Sequence, residues 1–141
     1  MSTLKGLRAR RDAKLAARHL DLAVPGLDGV VARFRPVTVS ETQREANKVE
    51  KWKDQQAANL HLNATLLAAA FEELRDEDGN VLAEGLSDDL VAEFAPGIEG
   101  ASGADVMKGL FTEDFPLFTA GGRLGEWSRG AEVDADGDLE N

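Results

Sequence analysis

The sequence predicts an α+β fold that is mainly α-helical: an N-terminal helix, a β-hairpin, then a helical bundle with a short second hairpin and a disordered acidic C-terminal tail. Three observations predict it. Apolar residues alternate at Leu20, Leu22 and Val24 and again at Val30, Ala32 and Phe34, on either side of Pro25-Gly26 and Asp28-Gly29. That is the period-2 pattern of two strands around a turn. The 35 residues from Ser40 to Leu74 contain neither Gly nor Pro and carry Leu60, Ala64, Leu67, Phe71 and Leu74 at spacings of 4, 3, 4 and 3, one apolar helical stripe. Finally, the acidic end offers too few large apolar side chains to order itself. A length of 141 residues suits one domain, read as residues 20–130, with a basic helical arm over 1–19 and the tail over 131–141.

Each element has its own signal. Residues 3–18 place Leu4, Leu7, Arg11, Leu15 and Arg18 at helical spacing, with Ser2 or Thr3 as cap and a polar face rich in Arg and Lys. In the hairpin, Arg33 and Arg35 take the face opposite Phe34, and Pro36 ends the second strand because it lacks a ladder donor. Ser40 with Gln43 reads as a capping box opening a long helical stretch, bent or broken near Asn59 to Asn63 where propensity falls. The turn RDEDGN lets Val81-Leu82 pair with the residues around Leu74. Ser87 caps a short helix through Phe94 that Pro96-Gly97 stops, and Ser102 with Asp105 caps another through Phe111. A last helix begins near Thr112, tolerates Pro116 in its first turn, and runs to Trp127.

The net charge of −10 divides unevenly. Met1 to Lys53 holds twelve basic and six acidic residues, a net +6, whereas Asp54 to Asn141 holds four basic and twenty acidic ones, a net −16. This overall charge opposes nucleic acid or an anionic membrane as partner, and the asymmetry is compatible with a homo-oligomer. No run of apolar residues approaches the roughly 18 of a membrane span.

Catalytic chemistry lacks its parts. With no Cys there is no disulfide, thiolate metal site or cysteine nucleophile. His19 and His61 have no ligand or triad grammar around them, and His61 reads as a half-exposed helical residue. The stretches Asp76-Glu77-Asp78-Gly79-Asn80 and Asp134 to Asp138 resemble the start of a calcium loop, but the glycine falls too early and the closing Glu is missing. GASGAD lacks the Lys that follows a phosphate-binding turn. The expectation is a protein that is not an enzyme, with no catalytic, cofactor-binding or metal-binding residues, and that works by binding.

The C-terminal third supplies a candidate surface. Four of the eight aromatics, Phe111, Phe115, Phe118 and Trp127, fall within seventeen residues among glycines that weaken the helix. Such a segment is either the lid of the core or an apolar surface for a partner.

The order of elements also resembles a known family. The succession VPGLDGVVARFRPVTVSETQREANKVEK, NLHLNATLLAAAFEEL, DGNVL, SDDLVAEF and GADVMKGLFTEDFPLFTAGGRLGEWS is similar to the tail assembly chaperones of long-tailed, siphovirus-type phages of actinobacteria. The more specific parts are Arg33-Phe34-Arg35-Pro36, Leu62-Asn63-Ala64 and Glu126-Trp127-Ser128. Two departures stand out: the region Ala95 to Gly103 is compressed, and the basic N-terminal helix is long. The resemblance implies a host-cytoplasm assembly factor that binds the tape measure protein, and the tail tube protein with it, keeping the former soluble during tube assembly. Leu110, Phe111, Phe115, Phe118 and Trp127 are then the expected partner-binding residues. The competing expectation is a structural virion component, either a head-tail connector, a tail terminator or a minor capsid-associated protein. A small DNA-binding regulator is a third, disfavoured by charge.

Overall fold

The computed structural model describes residues 4–16 and 18–140, and side chains for residues 4–14 and 18–130. It is an α+β fold, mainly helical, with one four-stranded antiparallel sheet in the order β1-β2-β3-β4. The strands are β1 (Leu20–Ala23), β2 (Val31–Phe34), β3 (Phe71–Arg75) and β4 (Val81–Glu84). The helices are α1 (Leu7–Ala16), α2 (Val39–Val49), α3 (Gln55–Ala70), α4 (Asp88–Phe94), α5 (Gly103–Leu110) and α6 (Phe115–Glu140). Thr3 and Ala17, included in the expected first helix, lie outside the described residues, and the expected tail 131–141 lies outside the described side chains.

The first hairpin forms as its alternation requires. Leu22, Val24, Ala32 and Phe34 are buried, and Asp21 stands opposite Arg33 on the other face. There Arg33 Nε donates to Asp21 Oδ1 at 2.9 Å and Nη2 to Oδ2 at 3.2 Å, while Nη1 lies 3.9 Å from Glu73 on β3. Glu73 in turn faces Glu84 on β4, so one row across the sheet is entirely charged and the row beside it, Leu22, Ala32, Leu74 and Ala83, is apolar. One face of the sheet is therefore ionic and the other joins the core.

Between the two hairpins three boundaries differ from the sequence reading. The cap of α2 is Thr38, two residues before Ser40: its Oγ1 accepts from the Glu41 N–H at 3.1 Å, and the Glu41 carboxylate accepts from the Thr38 N–H at 3.0 Å. The decisive extra is Arg35, whose two guanidinium nitrogens donate to Glu41 at 3.0 and 2.7 Å. Gln43 has no comparable tertiary partner and bonds Asn47 instead. The helical stretch breaks at Glu50 to Asp54 rather than near Asn59, because Asp54 caps α3 by accepting from the N–H groups of Gln56 and Ala57. Asn63 is accommodated in α3, donating to the Asn59 carbonyl one turn back at 2.8 Å. Lastly, α3 ends at Ala70 and the chain passes straight into β3, so Phe71 and Leu74 are strand residues paired with Phe34 and Ala32.

The later caps agree with the sequence. Ser87 accepts from the Leu90 N–H and opens α4, and Ser102 with Asp105 forms the capping box of α5. Helix α6 starts at Phe115, three residues after Thr112, and continues past Trp127. The core lies between the sheet's apolar face and helices α3, α5 and α6. Its largest fully enclosed side chains include Phe34, Leu67, Met107, Leu110, Phe111, Leu117 and Leu124. Phe34 ties the layers together, meeting Phe71 edge-on at 5.8 Å and Phe111 at 6.0 Å.

A candidate binding trough beside helix α6

Strand β1 is an edge of the sheet, and the first turns of α6 run beside it. Between them lies a trough of about 340 Å³. Leu22, Ala23 and Pro25 of the first hairpin form one wall, Phe111 the floor, and Phe115, Pro116, Thr119, Ala120 and Arg123 the other wall. The α6 wall is one helical face, since 115, 119 and 123 are each four residues apart, with 116 and 120 beside them. Phe111 is 2% exposed and packed on Phe34, so the floor is fixed by the core.

Phe115 is the notable member of this wall. It is 83% exposed, the most exposed of the large apolar side chains described. It follows a loop in which two non-glycine residues take left-handed backbone, Thr112 at φ 53° and Asp114 at φ 83°. For a β-branched residue such as Thr that conformation is a true outlier, and each such position costs on the order of 1–3 kcal/mol. The chain therefore spends strain to turn α5 into α6 at the point where Phe115 is presented.

The five residues expected to bind a partner divide. Leu110 is 1% exposed and Phe111 2% exposed, so Leu110 is a core residue and Phe111 reaches the trough only as its floor. This corrects their placement on an open surface: helix α5 turns its apolar stripe inward onto α3, which removes both from solvent. Phe118 is half-buried one residue round the helix from Leu117, and Trp127 packs partly buried against the core. Neither lines the trough. Phe115 alone of the five is both exposed and on its wall.

Sequence reasoning missed the hairpin wall and Arg123. The hairpin wall comes from residues some ninety positions away, for which no local pattern exists. Arg123 did carry a signal, as one of only four basic residues after Lys53, eight positions from Phe115 on the same helix face.

Elsewhere the polar and titratable groups singled out by the sequence meet neighbours within the fold. The His61 ring lies 5.1 Å from the Trp52 ring, and its pKa is lowered chiefly by burial and further by the nearby Lys108 cation. His19 Nδ1 is 2.7 Å from Glu72 Oε1. The Asp76 carboxylate closes its own turn by accepting from the N–H groups of Asp78 and Asn80, and Ser102 and Asp105 satisfy one another at the start of α5. Among the described residues no group of three or more His, Cys, Asp or Glu is placed to hold a metal ion, and no helix is long and apolar enough to cross a membrane. Scans against protein-family models, curated proteins and solved structures find no match.

Proposed function

We propose that this protein is a phage tail assembly chaperone that holds the tape measure protein soluble in the host cytoplasm while tube subunits assemble. The single observation that carries the reading is Phe115, 83% exposed on the wall of an apolar trough and presented there by a strained loop. A long helical cargo exposes apolar faces before it is encased, and a trough with one exposed aromatic on its wall offers a reversible cover for them. The resemblance in Arg33 to Pro36, Leu62 to Ala64 and Glu126 to Ser128 supports the same reading. Those residues build the scaffold: Arg35 clamps Glu41, Asn63 packs against Gly121, and Ser128 ties α6 to the chain after β2.

A structural virion component is the alternative, and one observation favours it. Every described side chain of the basic helix α1 is exposed, as suits an arm that docks onto a neighbour. Mass spectrometry of purified particles beside infected-cell lysate separates the two. The chaperone reading expects the chain in lysate, co-purifying with the tape measure protein and depleted from mature particles. Stoichiometric recovery in particles would reject it.

A further inference from the structure

We infer that the trough beside α6 takes an amphipathic helix carrying an acidic residue at one end of its apolar stripe, and that Arg123 selects that acid. This rests on the reading of the trough as the partner-binding site.

The length of the α6 wall matches two helical turns. From Phe115 to Arg123 the α6 wall rises through eight residue steps, about 12 Å at 1.5 Å per residue, with members at 115, 119 and 123 and at 116 and 120. A partner helix laid along it presents side chains at the same intervals to Leu22 and Pro25 opposite and Phe111 beneath. Among the nine residues lining the trough, eight are apolar or, in Thr119, uncharged, and Arg123 is the one ion. At the other end of the wall the two residues that directly precede Phe115, Glu113 and Asp114, are exposed acids. An acid on the partner is therefore repelled near Phe115 and attracted near Arg123, and a partner cation meets the reverse. Charge at the rim of an apolar contact acts mainly on selectivity and register, which is the role assigned to Arg123. A guanidinium suits it, because its planar fork donates two parallel hydrogen bonds to a carboxylate.

The test uses the full chain and two fluorescein-labelled helical peptides of three turns. Both carry the same Leu and Phe stripe, one ending in Glu and the other in Lys at the position one turn beyond it. Fluorescence anisotropy is expected to show the Glu peptide bound about fivefold more tightly, as suits one partly exposed ion pair. In Arg123→Glu the preference should reverse, with circular dichroism unchanged. In Phe115→Ala both peptides should weaken together, because the shared apolar wall is lost. Equal binding of the two peptides by the wild-type chain, binding of neither, or retention of the Glu preference in Arg123→Glu would each overturn the inference. Occurrence in mature particles would overturn the chaperone reading and leave the peptide preference standing, so the two failures are distinguishable.

Discussion

Ser128 on α6 accepts a hydrogen bond at 2.9 Å from the backbone N–H of Val37, ninety-one residues earlier, and both residues are buried. Pro36 has just ended β2, so the Val37 N–H has no strand partner and is left to find a side chain. Ser128 is the one polar residue buried in the described core, and satisfying this donor accounts for it. Ser128→Ala removes the acceptor and leaves the donor dry. The expected loss is about 1–3 kcal/mol, read as a lower urea midpoint at unchanged slope. A loss under half a kilocalorie would show that water reaches Val37.

Two glycines should respond oppositely to the same change. At Gly109 a new Cβ would stand 1.8 Å from the Phe94 carbonyl oxygen, where α5 passes over the end of α4. Backbone cannot swing aside, so Gly109→Ala must push the helices apart and is expected to destabilise by more than about 2 kcal/mol. At Gly122, on α6, a Cβ meets nothing within 4 Å and the backbone is ordinary helix. There Ala gains about 0.8–1 kcal/mol of helix propensity. Thermal unfolding of the two variants should move in opposite directions.

Acid should weaken the joint between β2 and α2. Glu41 is lowered from the ordinary 4.5 to about 2, first by its hydrogen bonds from Arg35 and then by those of its capping box with Thr38. A carboxylate held ionised in the fold and ordinary in the unfolded chain contributes stability that is fully present above pH 4.5 and is lost as pH falls towards 2. Because Arg35 is 42% exposed, solvent screening reduces the full value of such a shift, and about 1–2 kcal/mol is expected at neutral pH. Glu41→Gln should cost that much at pH 7 and progressively less as pH falls from 4.5 through 2, measured by denaturant titration at each pH.

The element types were legible in the sequence wherever local chemistry decides them. The hairpin was readable from Leu20 to Phe34, and the caps at Ser87 and Ser102 from their own side chains. The second hairpin, between the residues around Leu74 and Val81, was also readable, but the start of its first strand at Phe71 and its pairing with β2 were not, and the cause is specific. Phe71 pairs with Phe34 while Glu73 pairs with Arg33, so Glu72 is an extra residue bulged out of the ladder. The bulge brings Phe71 and Leu74, three apart, to the same buried face. A spacing of three is a helical signature, and only the distant partner β2 shows it to be a strand. Thr38 was missed as a cap for a similar reason, since its advantage over Ser40 comes from Arg35 gripping Glu41. In the trough, the aromatic cluster was visible but its division was not, because which side of α5 and α6 faces α3 is settled by packing across the molecule.

That division yields the sharpest contrast among single substitutions. Phe111 is enclosed, touching Phe34 and flooring the trough, so Phe111→Ala should cost about 3–5 kcal/mol and disturb the fold itself. Leu110, equally enclosed, should lose about 2–5 kcal/mol on truncation. Phe115, four residues further on, has most of its ring in water, and Phe115→Ala should leave stability within about 0.5 kcal/mol of the parent. The proposed function assigns this exposed ring, which follows two residues of left-handed backbone, to contact with the cargo. Co-purification with the tape measure protein should therefore fall in Phe115→Ala while its melting temperature holds. If the melting temperature drops with it, the ring is a lid on the trough rather than a contact, and capture should then be scored against a stability-matched variant such as Gly109→Ala.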